Sequence, residues 1–147
     1  GVMLFFHLKG IFVKIKFPKM NNMKSVLLVF DDAKELEFIE ENLIENGFEI
    51  YRCCNLKDAV IIAETTIPNL IVVNTIDSES DFYRFTQQIK IDRLKDVTIL
   101  SLIELEDYLK TSTKEHFIVK PVRPKLLLSL IRCLMNREEV NWLPSFH

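Results

Sequence analysis

The chain has 147 residues, with 19 Lys and Arg against 21 Asp and Glu for a net charge of −2. Its length suits one domain, and at 48% hydrophobic and 27% charged residues it can bury a core. Three glycines, Gly1, Gly10 and Gly47, exclude a glycine-rich phosphate loop or a dinucleotide fingerprint. His7, His116 and His147 lie too far apart for a zinc protease or a Cys/His zinc module. Cys53, Cys54 and Cys133 form an odd set without a CxxC, which fits free, buried thiols in a reducing cytoplasm. The first twenty residues carry four lysines and no acid, so the rest of the chain holds −6. A mildly acidic body argues against nucleic-acid binding, which needs a basic face.

Residues 1–22 read as an N-terminal extension. The longest apolar run there, Val2–Phe6, is far short of the roughly 18 residues of a membrane span. The lysines follow this run, where a secretory signal would place them before it. Ile11–Phe17 alternates in part and reads as a strand. An appended strand or hairpin, a membrane-surface anchor, and residues upstream of a start at Met20 or Met23 all remain open.

From residue 23 five short apolar runs alternate with helical patterns, the signature of a parallel sheet covered on both faces. Ser25–Phe30 is continuously apolar, as a strand buried on both sides should be, and Asp31–Asp32 ends it. A helix is expected over Ala33–Asn46, with Leu36, Ile39, Leu43 and Ile44 at helical spacing and Gly47 as its stop. Phe48–Cys54 is a shorter, more polar strand, which places it near an edge. Asn55 caps a helix to about Thr66, with Asp58 in the manner of a capping box. Leu70–Val73 is the third strand, ending on Asn74. A loop, Thr75–Ser80, leads to a helix from Asp81 to Leu94 with Phe82, Phe85 and Ile89 on one stripe. Val97–Leu102 is the fourth strand, Glu104–Lys114 a poorly patterned helix, and Phe117–Val119 the fifth strand. The last helix starts at Pro124, a good first helical residue, and runs to about Arg137. Leu126, Leu127, Leu130, Ile131 and Leu134 are expected to face in. Leu128 and Met135 sit at the edge of that stripe, either widening the core face or meeting a partner. Residues 23–137 thus form one (βα)5 domain, and 138–147 a tail containing Trp142 and Phe146.

Ligands of such sheets sit outside the carboxyl ends of the strands. Those ends carry Asp31 and Asp32, Asn74, Ser101, and Lys120 before Pro121. Each has an ordinary reading as well: Asp32 as a helix cap with Glu35 completing a box, Asn74 as a turn residue, Ser101 bonded to local backbone, Lys120 solvated. Their convergence on one rim is the informative feature.

Over residues 23–137 the chain resembles the receiver domain of two-component response regulators, on the segments VLLVFDD (Val26–Asp32), PNLIVVN (Pro68–Asn74), VTILS (Val97–Ser101) and FIVKP (Phe117–Pro121). The resemblance implies a flavodoxin-like doubly wound sheet of order 2-1-3-4-5. It also assigns Mg²⁺ binding to Asp31 and Asp32, and the phosphoryl-acceptor position to residue 74. Ser101 takes the hydroxyl role, Lys120 the ammonium role and Phe117 the switch aromatic, with a cis bond before Pro121.

The chain departs from that family's pattern at its centre. Residue 74 is Asn, and a neutral carboxamide cannot form the acyl phosphate that an aspartate forms. Two anionic oxygen donors in place of three also weaken a Mg²⁺ site, so the expectation is no cofactor or a weakly bound Mg²⁺. Leu102 stands where the family keeps a small residue, and Asp81–Phe82 replaces its Asp-Gly. Asp77, three residues past Asn74, is a conceivable substitute acceptor but lies in the loop.

The expected function is a stand-alone, atypical receiver that is not an enzyme and signals in the cytoplasm through protein–protein contact without phosphorylation. The contact surface implied by the resemblance is the last two helices and the intervening strand, a homodimer among its uses. The alternative is Mg²⁺-dependent phosphoryl signalling through a residual or unconventional acceptor. A small-molecule or flavin-type binder at the same rim is disfavoured by the missing Ser/Thr/Gly phosphate loop. A DNA-binding regulator is disfavoured because no helix-turn-helix follows the last helix.

Overall fold

A computed structural model of the chain describes residues 2–8, 11–17, 23–104 and 116–135. Two strands, β1 (Val2–Leu8) and β2 (Ile11–Phe17), pair antiparallel from Val2↔Phe17 to Leu8↔Ile11 and form a two-stranded sheet of their own. The hairpin reading of the extension therefore gains a second strand that alternation alone did not separate from the apolar run.

The remaining strands are β3 (Ser25–Phe30), β4 (Glu49–Cys53), β5 (Leu70–Asn74), β6 (Thr98–Ile103) and β7 (His116–Val119). All pair in parallel, in the order β4-β3-β5-β6-β7. Counted within this sheet that is 2-1-3-4-5, the flavodoxin-like order. The helices are α1 (Ala33–Glu45), α2 (Leu56–Thr66), α3 (Glu79–Ile89) and α4 (Pro124–Met135), with a 3-10 turn at Asp92–Leu94.

Every residue of β3 and β5 is buried, because each strand is central and covered on both faces. Strand alternation divides their side chains between two cores. Leu27, Val29, Ile71 and Val73 pack with α2 and α3 through Ala59, Ala63, Phe82, Phe85 and Ile89. Val26, Leu28, Leu70 and Val72 pack with α1 and α4 through Ile39, Leu43, Leu127 and Ile131. Each Val, Leu, Ile or Phe among them contributes about 1.5–3 kcal/mol on burial. The more polar β4 does lie at an edge.

Helix ends follow local chemistry. Asp32 caps α1 by accepting from Lys34 N at 2.9 Å and Glu35 N at 3.1 Å. Gly47 takes φ 87 just past the same helix, and its N–H reaches Ile44 O at 3.0 Å. Asn55 accepts from Asp58 N at 2.8 Å, and its amide donates to the Asp58 carboxylate at 3.1 Å, closing the expected box through side chains. The α2 cap Ile67 is left-handed at φ 50, and Pro68 prevents any continuation.

Four expectations need correction. α3 begins at Glu79 because Ser78 is its cap, accepting from Asp81 N at 3.1 Å, and it stops at Ile89 rather than reaching Leu94. In α4, Leu126 is 55% exposed while Met135, read as an edge residue, is core at 8%. Ile44 of α1 is likewise exposed. The thiols are free but not buried: Cys54 is exposed, while Cys53 and Cys133 are half-buried. Partial burial, opposed by a backbone hydrogen bond from Asn55 and helped by the charge of Asp58, moves the Cys53 thiol up to about 11, so it stays protonated at neutral pH. The helix expected over 104–114, the end of the last helix at 136–137 and the tail 138–147 lie outside the described residues.

Candidate functional site

The carboxyl ends of β3 and β5 are tied together where the predicted acidic pair begins. Phe30 is in register with Asn74, and Asp31 N donates to Asn74 O at 3.3 Å. Asp31 is exposed, and its Oδ2 accepts from Ile76 N at 3.1 Å, holding the start of the loop after β5. Asp32 is engaged as the α1 cap described above. Asp77 accepts from the Thr75 hydroxyl within that exposed loop, apart from the residues that line the cleft described below.

Asn74 is 2% exposed, the last residue of β5. Its Nδ2 donates to Glu35 Oε2 at 2.5 Å, a contact across 39 positions of sequence. Its Oδ1 is buried, with no hydrogen-bond partner among the described residues. The carboxylate can only accept, so this bond fixes which end of the amide faces Glu35. Glu35 is the residue that sequence reasoning missed as a site group. The Asp32-x-x-Glu35 spacing had offered it as the far half of a capping box, but its carboxylate turns to Asn74 instead.

Ser101 is also 2% exposed, and its Oγ has no partner among the described residues. It is in register with Val73 on one side and with Phe117 on the other. Ile99 packs on the α2–α3 side and Leu100 and Leu102 on the α1–α4 side, so alternation directs Ser101 away from the face that carries Leu102. Phe117 is half-buried. Lys120 follows β7, its Nζ 3.6 Å from Glu104 Oε1 and its N–H on Ile103 O at 2.8 Å, and the Lys120–Pro121 bond is cis. Glu104 is mostly exposed, so this pair adds little stability.

A cleft of about 620 Å³ opens between α1 and the start of α4. Asn74, Glu35, Lys34, Lys120 and Glu104 supply its polar groups, and Phe30, Phe38, Ile39, Leu102, Val122 and Leu127 its apolar wall. The structure thus brings Asn74 and Lys120 into one cavity, keeps Asp31 and Asp32 beside the strand that ends in it, and leaves Ser101 and Phe117 outside its lining. Leu102 takes the place on this wall that a smaller residue would leave open.

The Mg²⁺ implied by the sequence resemblance can be tested against these groups. Asp32 Oδ1 already accepts two N–H groups, and the third position presents an amide bound to Glu35. Among the described residues no three His, Cys, Asp or Glu side chains are arranged to hold a metal. The donor set does not fit a tightly held Mg²⁺.

This architecture has close counterparts. The chain matches a receiver domain of a signal transduction histidine kinase from Syntrophus aciditrophicus with a TM-score of 0.67 and 24% identity, over 84% of this chain and 97% of that one. The chemotaxis response regulator CheY4 of Vibrio cholerae matches with a TM-score of 0.64 and 20% identity, over 77% and 99%. The fold is that of a response-regulator receiver domain. Among curated proteins, the "Probable transcriptional regulator ycf27" of Cyanophora paradoxa is 28% identical over 123 residues, covering 80% of this chain and 51% of its own. The chain spans about half the length of the curated relatives it matches. No family model matches it. Among the described residues no helix is long and apolar enough to cross a membrane.

Proposed function

We propose that residues 23–137 act as an atypical receiver domain in a cytoplasmic two-component pathway, passing a signal by protein–protein contact without phosphorylation of position 74 and without a reaction of its own. The observation that carries this reading is the Asn74 amide, buried and bonded to Glu35. A carboxamide has no anionic oxygen to attack phosphorus, and its N–H face is taken by a carboxylate that would repel an incoming phosphoryl group. Leu102 on the cleft wall supports the same reading by filling space above the strand ends. Any Mg²⁺ at Asp31 and Asp32 is held weakly in this view. The curated relatives are named as transcriptional regulators, and a partner protein or domain is where such an output would reside.

Intact mass after incubation with Mg²⁺ and acetyl phosphate tests the proposal, with Asn74→Asp run beside the wild type. The wild type is expected to stay unmodified; a phosphoryl group on the variant shows that the amide at position 74 is what blocks the reaction, and an unmodified variant shows that Glu35 and Leu102 close the site as well. A phosphoryl group on the wild type would overturn the reading in favour of Mg²⁺-dependent phosphoryl signalling through another acceptor, for which Asp31, Asp32 and Lys120 are the retained groups.

A further inference from the structure

The wall of the cleft between α1 and α4 is apolar, built from Phe30, Phe38, Leu102, Val122 and Leu127, and Phe38 stands 47% exposed on it. Neither sign of charge prevails around it. Lys34 and Lys120 line it together with Glu35 and Glu104, and Lys120 is paired to Glu104 at 3.6 Å. A charged occupant gains from one pair what it loses to the other, whereas an uncharged apolar one gains by covering Phe38. The chain beyond α4 carries such a segment. Val140–Phe146 (VNWLPSF) has no ionisable side chain and includes Trp142, Leu143 and Phe146. Its reach is sufficient. α4 has 12 residues, about 18 Å end to end, and runs away from the cleft. With Asn136–Glu139 spent on reversing direction, the seven residues Val140–Phe146 span about 23 Å when extended. Pro144 stops a helix from continuing through this stretch and biases Leu143 towards extended backbone.

We propose that Val140–Phe146 folds back along α4 and docks in this cleft, Phe146 seated against Leu102 and Leu127 and Trp142 covering Phe38. Large aromatic side chains supply the most burial per residue for such a contact. A segment tethered this closely is held at an effective concentration on the order of millimolar, so it needs little intrinsic affinity. Once docked, it closes the face of α1 beside Asn74, and a partner that uses this face must displace it. Docking of this kind is independent of the chemistry at residue 74.

Trp142 is the one tryptophan of the chain, so its fluorescence reports on this segment alone. In the full chain, acrylamide quenching of Trp142 is expected to be several-fold weaker than in the chain unfolded in urea, with its emission shifted to the blue. Phe38→Asp and Val122→Asp, at positions already partly open to water, should each raise quenching towards the unfolded value while far-ultraviolet circular dichroism stays unchanged. Tyr83→Asp, at an exposed position of α3 on the opposite face of the sheet, should leave quenching as in wild type. Shielding should persist on serial dilution, because segment and cleft belong to one chain. Trp142 as open to the quencher as in urea, shielding that neither cleft variant relieves, relief by Tyr83→Asp as well, or shielding lost on dilution, which would mark a second copy as the occupant, would each overturn the proposal.

Discussion

The two ends of the central sheet use the same residue types in opposite ways. At the amino ends of β3 and β5, Ser25 is fully buried, its N–H reaching Asn69 Oδ1 at 2.9 Å and its Oγ the same oxygen at 3.3 Å, while Asn69 N returns a bond to Ser25 O at 3.0 Å. Towards the carboxyl ends, Asn74 closing β5 and Ser101 within β6 are almost as deeply buried, yet Asn74 Oδ1 and Ser101 Oγ have no partner among the described residues. Buried polar groups in folded proteins are overwhelmingly paired, so exceptions mark places shaped for something other than stability. One end of the sheet is a closed knot that sets strand register. The other leaves Asn74 beside a cleft and Ser101 on the opposite face, at the end where such sheets bind their ligands.

The largest effect on this contrast should come from placing a carboxylate at the open end. Asn74→Asp places a second acid against Glu35 at a position that is itself buried, and both the neighbouring charge and desolvation raise the new group's pKa. Its folded-state pKa then lies above the unfolded value. The variant should therefore be nearly as stable as wild type below about pH 4 and lose stability as pH rises past the unfolded pKa. At pH 7 a loss of about 2–4 kcal/mol is expected in urea unfolding, reduced by adding Glu35→Gln. A variant that is no less stable at pH 7 than at pH 4 would show that Glu35 does not press on position 74.

The closed end should be the next most sensitive. Asn69→Ala strips the Ser25 N–H and Oγ of their shared acceptor and should cost about 1–3 kcal/mol in urea unfolding, whatever the pH between 5 and 8.

The finest comparison is between the two serines. Ser25→Ala gives up a hydroxyl that is bonded and should cost about 0.5–1.5 kcal/mol. Ser101→Ala removes one that has no partner among the described residues, so its stability should be unchanged or slightly raised. If both variants lose the same stability, Ser101 has a partner in solution and the contrast between the ends disappears.

Much of the fold was legible because the central strands are simple objects physically. A strand covered on both faces must be apolar at every position, so SVLLVF and LIVVN announced themselves and their polar terminators marked the rim. Helix facing was harder to read. In PKLLLSLIRCLM apolar residues cover more than one stripe, and only the sheet decided that Met135 turns in and Leu126 out. The earlier start of α3 did have a local signal in Ser78-x-x-Asp81, a cap spacing that the loop assignment passed over.

The site divides along the same line. The residue types at the strand ends, Asn74 among them, follow from the sequence alone, because chain order along a strand fixes which residue ends it. That Asn74 is bound by Glu35, that Ser101 faces away from Leu102, and that Lys120 shares the cleft with Glu104 rather than with Asp31 were decided only by tertiary structure. These are contacts between side chains brought together by packing α1 and α4 on one face of the sheet, and no local periodicity encodes a partner 39 residues away.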